Sequence, residues 1–238
     1  FAASGRAFGR FQYMLRDYPA RTLHETIPNF HNTRKRYESL DEAIRLDAVG
    51  RLKEVQPEID YLMKSRDAAC LLTDMGNAGS LPRRVTHNDT KLNNVLLDST
   101  TMQGLCVIDL DTVMPGLAAN DFGDTVRFGA NDCREDEQDQ SRVHFLLPLY
   151  QVCVQGFLSQ AGPALTEQEI LTLPWGARLM TLECGIRFLT DYLQGDTYFK
   201  IEREQHNLDR ARTQFTLVEQ MEQQWQQMLA CSEQYLNQ

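Results

Sequence analysis

The sequence predicts a mainly α fold, α+β by class, with one short β-hairpin, formed as a single domain over residues 1–238. Three observations predict it. Apolar residues recur at helical spacing along most of the chain. Two short apolar runs, residues 95–97 and 105–108, flank a polar loop ending in Gly104, the pattern of a hairpin. No internal repeat or long linker divides the 238 residues, which can enclose one substantial core or two smaller ones.

Taken in order, residues 2–16 place Ala7, Phe8, Phe11, Met14 and Leu15 at helical spacing, and Asp17-Tyr18-Pro19 ends that helix. Residues 25–32 read as a loop. Asn32 or Thr33 then caps a helix running to about Leu46, with Tyr37, Leu40 and Ile44 inward. A helix over 57–75 opens on Pro57, which is tolerated in a first turn. Its packing side carries Ile59, Leu62, Met63, Arg66, Ala69, Cys70 and Thr73. Residues 76–80 break the chain. Beyond the hairpin, residues 114–120 read as a loop and 121–128 as a short helix. The acidic run 131–139 lacks the ligand spacing of an EF-hand and reads as a solvated loop. A buried helix over 141–160 follows. Thr166-Glu167-Gln168-Glu169 is a capping-box pattern that opens another. Further helices fit 175–193 and 202–235.

Composition excludes several classes of function. No apolar run approaches the ~20 residues needed to span a bilayer. Lys and Arg total 24 against 33 Asp and Glu, a net charge of −9 that argues against binding duplex nucleic acid. The six cysteines are widely spaced with no Cys-x-x-Cys pair, and read as free thiols of a reducing, cytoplasmic setting. No signal-peptide pattern opens the chain. There is no initiator Met either, so the chain reads as trimmed.

The chemistry concentrates in Val85-Thr86-His87-Asn88-Asp89-Thr90-Lys91-Leu92-Asn93-Asn94, which reads His-x-Asp-x-x-x-x-Asn and runs straight into the first strand. Asp109 ends the second strand. The hairpin brings Asn94 beside Asp109, with Asp89 in the loop leading in. Such a cluster suits phosphoryl transfer: a hydroxyl nucleophile needs a carboxylate to take its proton, and Mg²⁺ needs oxygen ligands while it bridges phosphates. Asp89 as base, with Asn94 and Asp109 as metal ligands, follows the order of a kinase catalytic loop. The alternatives are a turn Asp that binds backbone N–H groups, a strand-start cap and a strand-end turn residue. Lys91 either points its charge at the transferring phosphate or is a surface lysine. Asp111 offers a second carboxylate to the metal.

The segments His87-Asn88-Asp89-Thr90-Lys91-Leu92-Asn93-Asn94 and Val107-Ile108-Asp109-Leu110-Asp111-Thr112 resemble the two signature motifs of the aminoglycoside phosphotransferase / choline kinase-like superfamily. The continuation, Val113-Met114-Pro115-Gly116-Leu117-Ala118-Ala119-Asn120-Asp121-Phe122-Gly123-Asp124, is similar to N-acetylhexosamine 1-kinases. The resemblance implies transfer of the ATP γ-phosphate, with Mg²⁺, to the anomeric hydroxyl of an N-acetylhexosamine. It implies that His87 braces the loop. Asp121, although it sits in Asp121-Phe122-Gly123, is implied to anchor the loop backbone, leaving the metal to Asp109. Arg187 and Tyr198 are implied to touch the sugar; alternatively, Arg187 pairs with Glu183 one turn earlier. Trp175, Phe30 and His31 are further candidates for that pocket.

In complete kinase-like enzymes a sheet-rich lobe with a Gly-rich loop and a phosphate-binding Lys precedes the helical lobe. Neither feature precedes Asp89 in this sequence. The resemblance therefore implies the helical C-terminal lobe of the kinase-like fold, its N-terminal sheet lobe absent and its residues inactive in isolation. Two readings compete: a kinase of another small alcohol (an aminoglycoside, choline or homoserine), and a non-catalytic helical binding module derived from a kinase.

Overall fold

The computed structural model describes residues 1–236. Within them the order is α1 (Ala2–Met14), α2 (Thr33–Leu46), α3 (Gln56–Asn77), β1 (Arg84–Thr86), β2 (Val95–Leu97), β3 (Gly104–Val107), β4 (Met114–Gly116), α4 (Ala118–Gly129), α5 (Leu147–Ala161), α6 (Glu167–Leu193), α7 (His206–Gln223) and α8 (Trp225–Glu233). The protein is mainly helical, as the sequence predicts. Asn32 caps α2 by accepting the Lys35 N–H, and Thr166 with Glu169 forms the capping box of α6.

Helix α6 is the axis of the molecule. It is buried on nearly every face, so its residues enter two packed clusters. Leu173, Ala177 and Leu179 join α1, α4 and α5 around Phe8, Phe122, Tyr150 and Phe157. Leu182, Ile186, Leu189 and Leu193 join α2, α3 and α7 around Tyr37, Leu40 and Leu62. Helix α4 lies against α6 at backbone distance: a Cβ on Gly176 would collide with the Ala119 carbonyl, and one on Gly123 with the Gly176 carbonyl. That close approach fixes α4 on the core, which matters because α4 faces the loop between β1 and β2.

Four boundaries differ from the sequence expectation, each for a physical reason. Residues 114–120 are not all loop. Met114–Gly116 pairs antiparallel with Arg84–Thr86, in register Arg84↔Gly116 and Thr86↔Met114. Strands of three residues are too short to show a period, and this partner lies 30 residues away. The helix expected from residue 141 starts at Leu147. Val143 and Phe145 are instead buried from an extended segment, bridged at Asn131↔Phe145. Helix α6 runs unbroken through Pro174, whose missing N–H breaks one bond of a helix held by packing on all sides. The helix expected over 202–235 begins at His206 and splits at Gln224. The β2–β3 hairpin forms as predicted, with Val95 opposite Val107.

Candidate active site

The loop from His87 to Asn94 leaves β1 and enters β2, and its backbone donors are met by side chains. The Asp121 carboxylate accepts the N–H of His87 at 2.9 Å and of Asn88 at 2.8 Å. Gln12 of α1 donates to the same carboxylate at 2.6 Å. The Asp89 N–H reaches His87 Nδ1 at 3.3 Å, and the Thr90 N–H reaches Asp124 Oδ2 at 2.8 Å. Four consecutive amides are thus fixed, which defines the loop without regular structure. Asp121 is wholly buried, and burial pushes its carboxyl up while the two loop amides pull it back.

His87 is also buried, its ring edge-on to Phe8 and Phe11. It donates from Nε2 to the Ile108 carbonyl at 2.9 Å, and its own carbonyl accepts the Thr112 hydroxyl at 2.7 Å. These bonds tie the loop to the segment after β3. On that segment the Ile108 N–H donates to the Asn94 carbonyl at 2.9 Å, which sets Asn94 beside Asp109.

Asp89, Lys91 and Asn94 form one cluster. Asp89 Oδ2 accepts from Lys91 Nζ and from Asn94 Nδ2, both at 2.8 Å. Asn94 Nδ2 also donates to the Asp89 carbonyl at 2.8 Å, so the Asn94 amide nitrogen is engaged, while its oxygen accepts no bond from a described residue. The Lys91 ammonium is held above its ordinary range chiefly by the bond to Asp89, against burial, with Asp109 adding to the pull. Asp109 adopts φ 65°, a left-handed conformation uncommon outside glycine. Asn88 does the same at φ 66°, but its side chain is bonded to Thr86 and Thr112. The Asp109 carboxylate is exposed and accepts no hydrogen bond from a described residue. Asp111 is exposed as well, tied down only through its carbonyl, which accepts the Thr26 hydroxyl.

Among the described residues, no three His, Cys, Asp or Glu side chains are grouped to hold a metal. The side-chain oxygens of Asn94, Asp109 and Asp111 accept no hydrogen bond from a described residue, and amide and carboxylate oxygens are the donor chemistry that Mg²⁺ takes. That ion keeps several waters and takes one or two carboxylates together with phosphate oxygens. The residues fit it.

A second region lies where the start of α2 meets the end of α6. A cavity of about 300 Å³ is lined by Ile27, Phe30, Arg36, Arg187, Tyr198 and Phe199, among others. The Arg187 guanidinium lies 5.9 Å from the Tyr198 ring centre and 5.3 Å from that of Phe199. It has no carboxylate partner among the described residues. Glu183 is unavailable to it, because His31 Nδ1 (3.3 Å), the Thr33 hydroxyl (3.0 Å) and Arg36 (3.6 Å) surround that buried carboxylate. Burial opposes the Glu183 charge, yet these partners hold its carboxyl below the usual range. The other ring nitrogen of His31 faces the Asn88 carbonyl at 3.3 Å, so His31 links the buried Glu183 carboxylate to the loop after β1. Trp175 is elsewhere, packed edge-on against Trp225 at 4.8 Å.

Sequence reasoning missed several of these partners. Asp124 was readable in principle, since Asp121-x-x-Asp124 repeats a carboxylate after one helical turn. Gln12 and Glu183 carry no local signal. Asp191 likewise emerges only in three dimensions: it accepts the N–H groups of Thr197, Tyr198 and Phe199 at 2.8–2.9 Å and so fixes the loop beside the pocket.

A family model described as a phosphotransferase enzyme family, APH, matches residues 2–152. That is more than half of the chain, and it takes in the catalytic loop, the hairpin and α4. The chain belongs to this family, whose members are phosphotransferases acting on small molecules. Arg187 and Tyr198 lie beyond the matched span.

Proposed function

We propose that the protein transfers the γ-phosphate of Mg·ATP to a hydroxyl of a neutral sugar, the anomeric hydroxyl of an N-acetylhexosamine fitting best. Asp89 is the general base: it takes the acceptor's O–H proton as the oxygen attacks phosphorus and the bond to ADP breaks. Asn94 and Asp109, with Asp111, hold Mg²⁺, which neutralises charge on the phosphates. Lys91 orients Asp89 through its 2.8 Å bond and offers its own charge to the transferring group. His87 and Asp121 support the loop without touching substrate.

The observation that carries the acceptor assignment is the Arg187 guanidinium, unpaired, over two aromatic rings. A sugar offers hydroxyl and acetamido oxygens to that donor and an apolar ring face to Tyr198. The acid in the pocket lining, Asp191, is filled by backbone donors, so a cationic acceptor meets an unscreened positive charge. Choline and aminoglycosides fit poorly.

The outer side of the hairpin presents Leu96, Met102 and Leu105, with Leu110 next to Asp109, all at least half exposed. This apolar face supports a second part of the reading. A sheet-rich nucleotide-binding lobe covers it and holds the adenine and phosphates, and residues 1–238 alone fold without turning over. The test is ATP-dependent phosphorylation by the full-length protein over GlcNAc, GalNAc, choline and an aminoglycoside. The neutral sugars are expected to be phosphorylated at the anomeric position. Turnover confined to the cationic acceptors overturns the assignment.

A further inference from the structure

The acidic run 131–139 is a loop with most of its residues exposed, as its composition predicts, but several of its groups are tied to the helices beneath. The Asp136 carboxylate and carbonyl both accept from Arg203 at 2.9 Å, and Asp136 also faces His206 at 3.2 Å. The Glu137 carbonyl accepts the Thr213 hydroxyl at 3.2 Å. Asn131 Nδ2 donates to the Arg127 carbonyl at 3.0 Å. Glu135 reaches inward to the Arg127 guanidinium at 3.3 Å.

Arg127 connects this loop to the catalytic one. Its side chain is 14% exposed, and its Nε donates to Asp124 Oδ1 at 3.0 Å. The other Asp124 oxygen holds the Thr90 N–H at 2.8 Å. Thr90 is completely buried, its hydroxyl donating to the Asp121 carbonyl, and it lies between Asp89 and Lys91 in the chain. Every link from Glu135 to Thr90 is therefore a contact between charged or hydrogen-bonded groups, and the inner ones are shielded from water. Without Arg127, the buried Asp124 carboxylate would keep only the Thr90 amide and hydroxyl and lose its bonded guanidinium, and its cheapest relief would be to turn towards water and release Thr90.

We propose that Arg127 is a positioning residue: through Asp124 it locks the backbone of Thr90, and the acidic loop, through Glu135, locks Arg127. The placement of Asp89 and Lys91 thereby depends on a loop that contains none of the residues assigned to either substrate. This rests on Asp89 being the base, and the test separates the two ideas.

Amide exchange over residues 88–92 of the full-length protein reads the lock without any turnover. Arg127→Ala is expected to speed exchange at Thr90 by about tenfold or more while the helices keep their protection. Arg127→Lys, which can still reach Asp124, should restore most of it. Glu135→Gln should speed Thr90 exchange about two- to fivefold, as loss of an exposed ion-pair partner does, and it keeps the test open if Arg127→Ala does not fold. In turnover, Arg127→Ala should lower kcat and leave the acceptor KM in place, with Arg127→Lys rescuing kcat. Thr90 protection equal to wild type in Glu135→Gln and in any folded Arg127→Ala protein, or exchange raised uniformly over the chain in both, overturns the proposal. Faster exchange at Thr90 with Asp89→Asn fully active would retain the lock and remove Asp89 as base.

Discussion

The catalytic loop and the acceptor-side loop are both pinned by buried aspartates, yet they are left in opposite states. Around Asp89 the backbone amides from His87 to Thr90 each have an acceptor, and the side chains Asp89, Lys91 and Asn94 are bonded to one another. Around Tyr198 the backbone is equally fixed, by Asp191, but the side chains are not tied down: Tyr198 is 74% exposed and Arg187 has no acidic partner among the described residues. On the proposed reading, the difference teaches where specificity resides: a preorganised base and metal site would serve any hydroxyl, whereas a guanidinium over aromatic rings would select among acceptors.

The comparison breaks first at the metal. Asp109→Ala should cut Mg²⁺-dependent turnover by roughly 10²–10⁴, because a carboxylate ligand of the charge-neutralising ion is lost, with Asn94→Ala milder. Titration of activity with Mg²⁺ checks this. If Asp121 rather than Asp109 carried the metal dependence, the roles assigned to the two would be exchanged.

The two anchors should differ as well. Asp121→Ala strands three buried donors and should cost about 3 kcal/mol or more in urea unfolding, with kcat falling and metal affinity kept. Asp191→Ala frees a loop that water can reach, so its stability cost should be smaller and its kinetic effect should be on the acceptor KM. Identical effects from the two anchors would erase the proposed division.

Arg187→Ala should raise the acceptor KM by about 10- to 100-fold, the worth of one hydrogen bond to a charged group at roughly 1.5–3 kcal/mol, and leave the ATP KM unchanged. An unchanged acceptor KM would return Arg187 to a structural role.

The smallest effect concerns pH. Arg203 holds the Asp136 carboxyl at about 2, below its ordinary 3.8. A carboxylate depressed in the folded state contributes stability that is fully present above 3.8 and lost as pH falls towards 2. Arg203→Gln should flatten stability across that interval in acid titrations and change little at neutral pH.

How much of this was legible in the sequence depended on distance along the chain. The hairpin, the capping box at Thr166 and the helical periods are local patterns, and they were readable. The approach of Asn94 to Asp109 was readable too, because a hairpin sets it. The β1–β4 pair was not, since three-residue strands carry no period and the partner is remote. Gln12 on Asp121, and Thr33 and His31 on Glu183, were hidden because a buried polar residue inside an amphipathic helix looks like an exposed one. At 131–139 composition gave the exposed loop but not its ties, since the arginines that face it come from α4 and from residue 203.

The most direct test of the account is steady-state kinetics of Asp89→Asn in the full-length protein, with GlcNAc and Mg·ATP both varied. The substitution keeps the shape of the side chain and removes its proton affinity. The account predicts kcat lower by about 10²–10⁴ with both KM values close to wild type. Near-normal kcat, or a loss that appears in the acceptor KM instead, would contradict it.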